Sequence, residues 1–508
     1  MEGCQYLFKT EKVEDCRQGV SQIKANISVV ESVADFVAKT LGPYGLDKLF
    51  YGKKMLLTND GATIMENMEF KHPVAQLLTS LSKSQDQEVG DGTTSVIVLT
   101  GALLTQLKPL ITADFSRDEL RKVLNTCLTE CIKHLDSLKV EFSEEKLVKL
   151  AETCMTSKNV RNERGHFAEM LCGVLNSRNK DFNLNVVKMP GGSLGDSVLV
   201  DGVAFEKTFT YAGYDQQPKR IEHPLIACID VELEWKSEKE NAEIRISSTE
   251  EYKKVVDAEY AILEEKLDDL IKSGANVVLS TKSVGDYATQ YFAAKGVFSL
   301  GRVGDLDKIC RAFGGAASTT TKYLSVGQAD LFEERQLGNT RYNYISSSKT
   351  NVKTLILRGP GEEVVEEVER AIHDAVCVVK KAVSSQGILT GGGSAEMAMS
   401  TVCRRLYQKA EGREKSLYRA IGAAFEKIPV QLAENFGLDP IIQIQKLRKM
   451  HASVNHHYGM TLFGPADMHS IGVFEPVDVK KNMVKAAFST VDVILSINGT
   501  LISENQSQ

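Results

Sequence analysis

The sequence predicts a multidomain α/β protein: one mostly helical domain assembled from both ends of the chain, with a mixed α/β domain inserted into it. Three observations carry this. At 508 residues the chain is too long for one ordinary hydrophobic core, and its length suggests two to four domains. Apolar residues recur at helical spacing through the first 140 positions and again from about 363 to 485. Between these flanks, short β-prone runs alternate with turns rich in glycine and aspartate.

The amino-terminal flank opens with Val20, Ile23, Ile27, Val30, Ala34, Val37 and Leu41, which step by three and four along a long amphipathic helix. Gly42-Pro43 stops it, glycine past the end and proline just beyond. A second helix begins near Thr93 and places Val96, Leu99, Leu103 and Leu107 on one stripe. In the middle segment, "PLIACIDVELEW", "ANVVLST" and "VKTLILRG" read as buried strands, preceded by the turn-rich "NLNVVKMPGGSLGDSVLVDGVAFEKTFTY". Among them lies "NAEIRISSTEEYKKVVDAEYAILEEKLDDLI", a long charged helix with no proline. Its first half is too polar to bury much, so it projects from its domain or meets a partner. Further on, Val365, Val368, Ile372, Val376 and Val379 form the buried stripe of another helix. Asp374 stands about 200° around from Ile372, on the opposite face, where an i,i+4 pair with Arg370 is the simplest reading.

The composition narrows the function. Hydrophobic residues at 43% and charged residues at 25% are ordinary for a soluble globular protein, and a net charge of −6 advertises neither nucleic acid nor an anionic membrane. The start of the chain lacks the apolar core of a secretory signal, and the longest apolar stretch, around Val96 to Leu104, falls short of the roughly 18 residues a membrane span needs. A soluble, cytoplasmic protein is the expectation. Ten cysteines are scattered without a CxxC or Cys/His box. Cys127 and Cys131, four apart on a helix, read as core thiols or half a metal site. His456 and His457, in a loop beside Tyr458, read as surface residues. The polar tail "SENQSQ" is the sole low-complexity tract.

Three glycine loops in the amino-terminal flank carry the chemical signal: "TLGPYGLDK" (40–48), "TNDGATI" (58–64) and "VGDGTTS" (89–95). Glycines let backbone amides approach a ligand closely. The third loop opens a helix, where Thr93, Thr94 and Ser95 would present free amides and hydroxyls to an anion. Magnesium takes carboxylate and phosphate oxygens and keeps several waters, so Asp91 can hold the ion while the helix start holds phosphate. A P-loop lysine is then not required. Asp60 is left to position a water or to make a second contact to the ion. "TGGGSAE" (390–396) is a further glycine turn before a helix, either a tight connection or a place where backbone touches a nucleotide. "FEP" with Lys480 is uninformative by itself.

Together, "TLGPYGLDK", "TNDGATI", "HPVAQLL", "QDQEVGDGTTSV", "TSK", "ERAIHDA", "GGGSAE", "ENFGLDP" and "FEPVDVK" resemble the group II chaperonins in order and spacing, from near residue 15 to residue 500. Three more stretches, "DGVAFEKTFTYAGYDQQPK", "VELEWKSEKENAEIRI" and "DYATQYFA", are similar to one subunit class of the eukaryotic cytosolic chaperonin, CCT or TRiC.

The resemblance implies three domains. A mostly helical, ATP-binding equatorial domain would comprise 1–140 and 391–508, a small α/β intermediate hinge domain 141–208 and 362–390, and an α/β apical domain 209–361. The apical domain would bind substrate, and its polar helix near 243–265 would form the protrusion that helps close the chamber. The resemblance also implies roles. Gly42, Gly92, Thr93, Thr94 and Ser95 would contact phosphates, with Asp91 on Mg2+; Asp60 and Asp374 match the carboxylates that position or activate the attacking water. Closure of the hinge would carry Asp374 onto the γ-phosphate. Ser157 and Lys158 match a loop that senses that phosphate, and Gly392, Gly459, Glu475 and Lys480 would lie around base and ribose. One residue departs from the family pattern: Tyr44 stands where a basic residue is usual, which removes a positive charge near the phosphates. The implied activity is ATP hydrolysis that drives a folding chamber shut around unfolded clients such as actin and tubulin. The implied partners are seven paralogous subunits in each eight-membered ring of a double ring, with no nucleic acid and no membrane. A structural subunit that holds nucleotide with little hydrolysis is the alternative, supported by Tyr44.

Overall fold

A computed structural model describes residues 19–51, 55–112, 116–156, 160, 162–174, 183–234, 249–385, 387–452 and 456–499. Two compact units account for the chain: 1–180 with 362–508, and 181–361.

The discontinuous unit begins with α1 (Val20–Ala38), the antiparallel hairpin β1 (Lys48–Tyr51) and β2 (Met55–Thr58), α2 (Gly61–Asn67), α3 (Pro73–Val89) and α4 (Thr93–Leu107). α5 (Arg117–Ser137), α6 (Glu144–Met155) and α7 (Arg164–Val174) follow.

The inserted unit holds β3 (Asn183–Pro190), β4 (Val198–Val200), β5 (Gly202–Glu206), β6 (Arg220–Glu222) and β7 (Leu225–Ile229). Then come α8 (Thr249–Lys272), β8 (Val277–Ser280), α9 (Asp286–Ala294), β9 (Phe298–Leu300) and α10 (Leu306–Phe313). β10 (Val326–Gln328), β11 (Leu331–Leu337), β12 (Thr340–Ser346) and β13 (Val352–Gly359) complete it.

The chain then returns to the first unit through α11 (Glu362–Ser385), β14 (Ile388–Thr390), α12 (Ser394–Lys409), α13 (Gly412–Phe425), α14 (Lys427–Asn435) and α15 (Pro440–Ala452). Last come β15 (Tyr458–Thr461), β16 (Gly464–Asp467), α16 (Met468–Ile471), β17 (Phe474–Pro476) and α17 (Val477–Ser496).

The core of the discontinuous unit is helical, and it forms only because both ends of the chain meet. α4 packs against α1 and α3 from its own side of the insertion and against α13 and α17 from the other. Its expected stripe of Val96, Leu99, Leu103 and Leu107 is buried, but so are all residues from Val96 to Leu104, because neighbours surround it. An all-round apolar helix is what a central position demands. α1 buries Ile23, Ile27, Val30, Ala34 and Val37 as its period requires, and ends at Ala38, four residues before Gly42. Cys127 and Cys131 lie fully buried in this core beside Cys403 of α12. Among the described residues no group of three or more His, Cys, Asp or Glu side chains is arranged to hold a metal ion.

In the inserted unit, the hydrophobic runs "LIACI" and "VVLS" form adjacent parallel strands, with β9 on one side and antiparallel β10 on the other. A four-stranded antiparallel sheet ordered β5-β12-β11-β6 and a three-stranded sheet ordered β3-β13-β4 complete it. α8 buries Leu263, Leu267 and Leu270 near its end, while among its described side chains before Leu263 none is buried. The polar first half of this helix is thus solvated, as its composition requires; the part of the segment before Thr249 lies outside the described residues.

Candidate functional site

α4 and α12 start alike. Gly92 (φ 78°) and Gly393 (φ 80°) hold their N-cap positions in the left-handed region that glycine adopts without strain, and neither helix has a side-chain cap. By contrast α2, α5 and α6 are capped by Asp60, Ser116 and Ser143. The first three amides of a helix have no carbonyl one turn back, so an uncapped start offers N–H groups and a positive dipole end to an anion.

Both helix starts face one cavity of about 500 Å³ within the discontinuous unit. Gly42, Asp60, Asp91, Gly92, Thr93, Thr94, Ser95, Asp374, Gly392, Glu475 and Lys480 all line it. Residues 332 positions apart in sequence, such as Gly42 and Asp374, are thereby brought together. Gly459 lies one layer behind, in β15: a Cβ there would meet the carbonyl oxygens of Gly392 at 2.7 Å and Gly391 at 2.9 Å. Ser157 and Lys158 lie outside the described residues.

The carboxylates are held in place locally. Asp60 Oδ2 accepts from the Thr63 amide at 2.9 Å and the Thr63 hydroxyl at 2.8 Å, and Oδ1 accepts from the Thr93 hydroxyl at 2.9 Å. Asp91 Oδ1 accepts from the Gly92 amide at 2.6 Å. The Asp91 carbonyl accepts from Gln85 Nε2 at 2.9 Å, and Gln85 in turn accepts from Asn482 of α17 at 2.9 Å, which ties this turn to the far end of the chain. Asp374 is half-buried on α11. Arg370, its expected i,i+4 partner, donates to Glu367 at 2.6 Å and 3.0 Å. One turn beyond Asp374, Cys377 sits against the Gly90 turn; a Cβ on Gly90 would come within 3.0 Å of its Sγ.

At another wall, Lys480 bridges two carboxylates: Glu396 at 2.6 Å and Glu475. Burial opposes the charge on Lys480, but Glu396 and Glu475 outweigh it and hold the ammonium above the ordinary lysine range. Burial pushes the Glu475 carboxyl up, Lys480 opposes this, and the negative charges of Glu396 and Asp91 add to the rise. Tyr44 stands in the cavity wall with its ring edge-on to Phe436, centroids 5.6 Å apart.

Several lining residues carried no expectation. Lys149, Glu152 and Thr153 reach the cavity from the polar stripe of α6, Thr156 from the cap at its end, and Arg164 from the start of α7. The 3–4 spacing of that stripe, opposite buried Leu147, Leu150 and Ala151, is the signal that could have marked it. Glu396 stood within the quoted glycine turn without an assigned role. His456 and His457 depart from the surface reading: both are half-buried, and the His456 ring lies 5.3 Å from that of His134 and 5.9 Å from that of His451.

The cavity thus combines anion-seeking helix starts, carboxylates fixed by short hydrogen bonds, and a buried ammonium between two acids. Comparison with known proteins identifies the family. The model of the TCP-1/cpn60 chaperonin family matches residues 33–505. The T-complex protein 1 subunit eta of Encephalitozoon cuniculi is 51% identical over 98% of this chain and 99% of its own length. Those of Homo sapiens and Saccharomyces cerevisiae are 39% and 37% identical, each over 96% of this chain and 93% of their own. Eta is the subunit class that "DGVAFEKTFTYAGYDQQPK" and its companions resemble. With the family matched across nearly its whole length, the chain belongs to the TCP-1/cpn60 chaperonins.

Proposed function

We propose that this chain is an eta-type subunit of a hetero-oligomeric cytosolic chaperonin, in which binding and hydrolysis of magnesium ATP in the cavity close a folding chamber around unfolded protein. Chaperonins as a family are ATPases; the proposal is that this subunit's own site hydrolyses. The observation that carries it is the convergence of Asp60, Asp91 and Asp374 with the uncapped start of α4 on one cavity.

The residues divide the work. The amides of Thr93, Thr94 and Ser95, with Gly42 and Gly92, hold phosphate oxygens. Asp91 is the protein's ligand to magnesium, an ion content with one or two carboxylates beside phosphate and water; when bound, it supplies positive charge against the triphosphate. Asp60 and Asp374 orient the attacking water and accept its proton. Ser157 and Lys158 answer to the γ-phosphate, and Gly392, Gly459, Glu475 and Lys480 surround base and ribose. Equatorial (1–140, 391–508), intermediate (141–208, 362–390) and apical (209–361) domains fit the roles of nucleotide site, hinge and client-binding face. Exposed Leu49, Tyr51 and Met55 on the β1–β2 hairpin suit burial against a neighbouring subunit, in line with two rings of eight. Actin and tubulin are the proposed clients.

Single-turnover hydrolysis at this subunit's site in the assembled complex tests the reading. Asp374→Ala should slow it by about a hundredfold or more while nucleotide still binds, whereas an unchanged rate would remove Asp374 from the chemistry. Tyr44 favours a second reading, a subunit that holds nucleotide with little turnover. Nucleotide that stays unhydrolysed at the wild-type site through a full cycle would select it.

A further inference from the structure

Glu396 belongs to the charge-linked trio but does not line the cavity. It stands in the first turn of α12 with its side chain 0% exposed. One carboxylate oxygen accepts from Lys480 at 2.6 Å, and the other, Oε2, is buried without a hydrogen-bond partner. A carboxylate stripped of water and half-satisfied is costly, and a well-packed apolar side chain would serve stability at least as well. Its use lies in what it does to its neighbours.

Lys480 is 6% exposed and is shared with Glu475, which is 22% exposed and faces the cavity. One ammonium against two carboxylates leaves a net negative charge, and the cavity meets it at Glu475. Without Glu396, Lys480 would neutralise Glu475 alone, and the cavity wall would become a closed ion pair. Backbone geometry fixes the outer acid as well. Glu475 pairs with Leu389 across β14 and β17, and a Cβ on Gly391 would lie 2.6 Å from its Oε1. The carboxylate therefore lies against a bare glycine turn with little freedom to swing. A fixed acceptor of net negative charge repels phosphate and accepts from hydroxyls.

We propose that Glu396 is a positioning residue that, acting through Lys480, holds Glu475 as the acceptor for the sugar hydroxyls of the nucleotide, so that this wall selects ribose over deoxyribose. The inference rests on the nucleotide reading of the cavity. A site built to bond a hydroxyl discriminates strongly against the analogue that lacks it, because its own polar group is left unpaired.

Equilibrium binding of MgATP, its 2′,3′-dideoxy analogue and inorganic tripolyphosphate to the full-length chain tests this, with thermal unfolding read in parallel. Wild type should favour ATP over the dideoxy analogue by about tenfold. Glu396→Gln should reduce that ratio to about twofold and leave tripolyphosphate affinity alone. In a Lys480→Gln background, Glu396→Gln should change the ratio no further, as a residue acting only through Lys480 requires. A wild-type ratio in folded E396Q, or an undiminished effect of E396Q in the K480Q background, overturns the proposal. Should E396Q fail to fold, Glu396→Asp carries the test, since it keeps the charge but withdraws it from Lys480; a wild-type ratio there overturns it equally. Wild-type chain that binds phosphate and nucleotide without sugar preference sinks this inference alone, whereas binding of neither ligand sinks the nucleotide reading.

Discussion

The Thr93 hydroxyl donates to Asp60 Oδ1 at 2.9 Å, joining the first residue of α4 to the cap of α2. Two of the glycine loops are thereby one structure. The anion-seeking helix start and the carboxylate that would orient water cannot shift independently. Thr93→Val keeps the shape of the buried side chain and deletes this bond. It should cost about 1 kcal/mol of stability in chemical denaturation. It should slow hydrolysis at this site by about tenfold or more, since a misplaced catalytic group loses rate steeply with distance.

Tyr44 contributes no charge to the cavity wall it shares with Phe436. Tyr44→Lys should tighten ATP binding by about threefold at low ionic strength, measured by equilibrium dialysis. The gain should fade near 1 M salt, because an exposed cation acts through a screened field. A gain that survives high salt would mean that the aromatic ring, not the missing charge, sets affinity here.

The histidine cluster predicts a pH dependence of stability. Burial lowers His451 to about 4, a fall only partly opposed by its hydrogen bond to the Tyr458 carbonyl, with His456 and His457 adding to it. His134 and His456 are lowered too, by burial first; His456 and Arg405 then act on His134, and Arg405 and His457 on His456. His457 is lowered by burial and by His469, against Asp467. These rings take up protons at lower pH in the fold than in the unfolded chain, which does so near the ordinary histidine value of about 6.5. Stability should therefore be unaffected above pH 6.5 and fall as pH drops from there towards 4. Unfolding midpoints across that window should slope less steeply in His451→Gln, whose amide can still donate to Tyr458.

Glu426, 5% exposed at the junction of α13 and α14, accepts from Arg404, Arg448 at 3.1 Å, and Ser400 at 3.0 Å. Removing it leaves a buried hydroxyl without its acceptor and two arginines without their anion. Both arginine side chains are more than two-fifths exposed and can turn to water, so the loss is less than for a fully buried pair. Glu426→Ala should cost about 2 kcal/mol in denaturant titration.

What the sequence made legible was whatever repeats locally. The 3–4 spacing of α1, the continuous apolar runs of β7, β8 and β13, and the glycine loops each declare themselves within twenty residues. The stripe on α11 even placed Asp374 on the face away from Ile372, and that face meets the cavity. What stayed hidden depends on partners far off in the chain. α4 reads as one-sided, yet it is enclosed because α13 and α17 arrive from beyond the insertion. Glu396 has no visible purpose until Lys480 lies beside it, 84 positions later. His456 looks like a loop residue until His134 closes over it. Long-range contacts of this kind leave no periodic trace.

The insertion between residues 180 and 362 also orders events at the ribosome. Asp60 and Asp91 emerge before the insert, but Glu475, Lys480 and the α17 helix that packs on α3, α4 and α5 emerge only well after it. Until α17 has been made, the first half of the helical core must wait with bare apolar flanks. A nascent chain stalled before α17 can fold its insert, yet has nowhere complete to lodge a ligand.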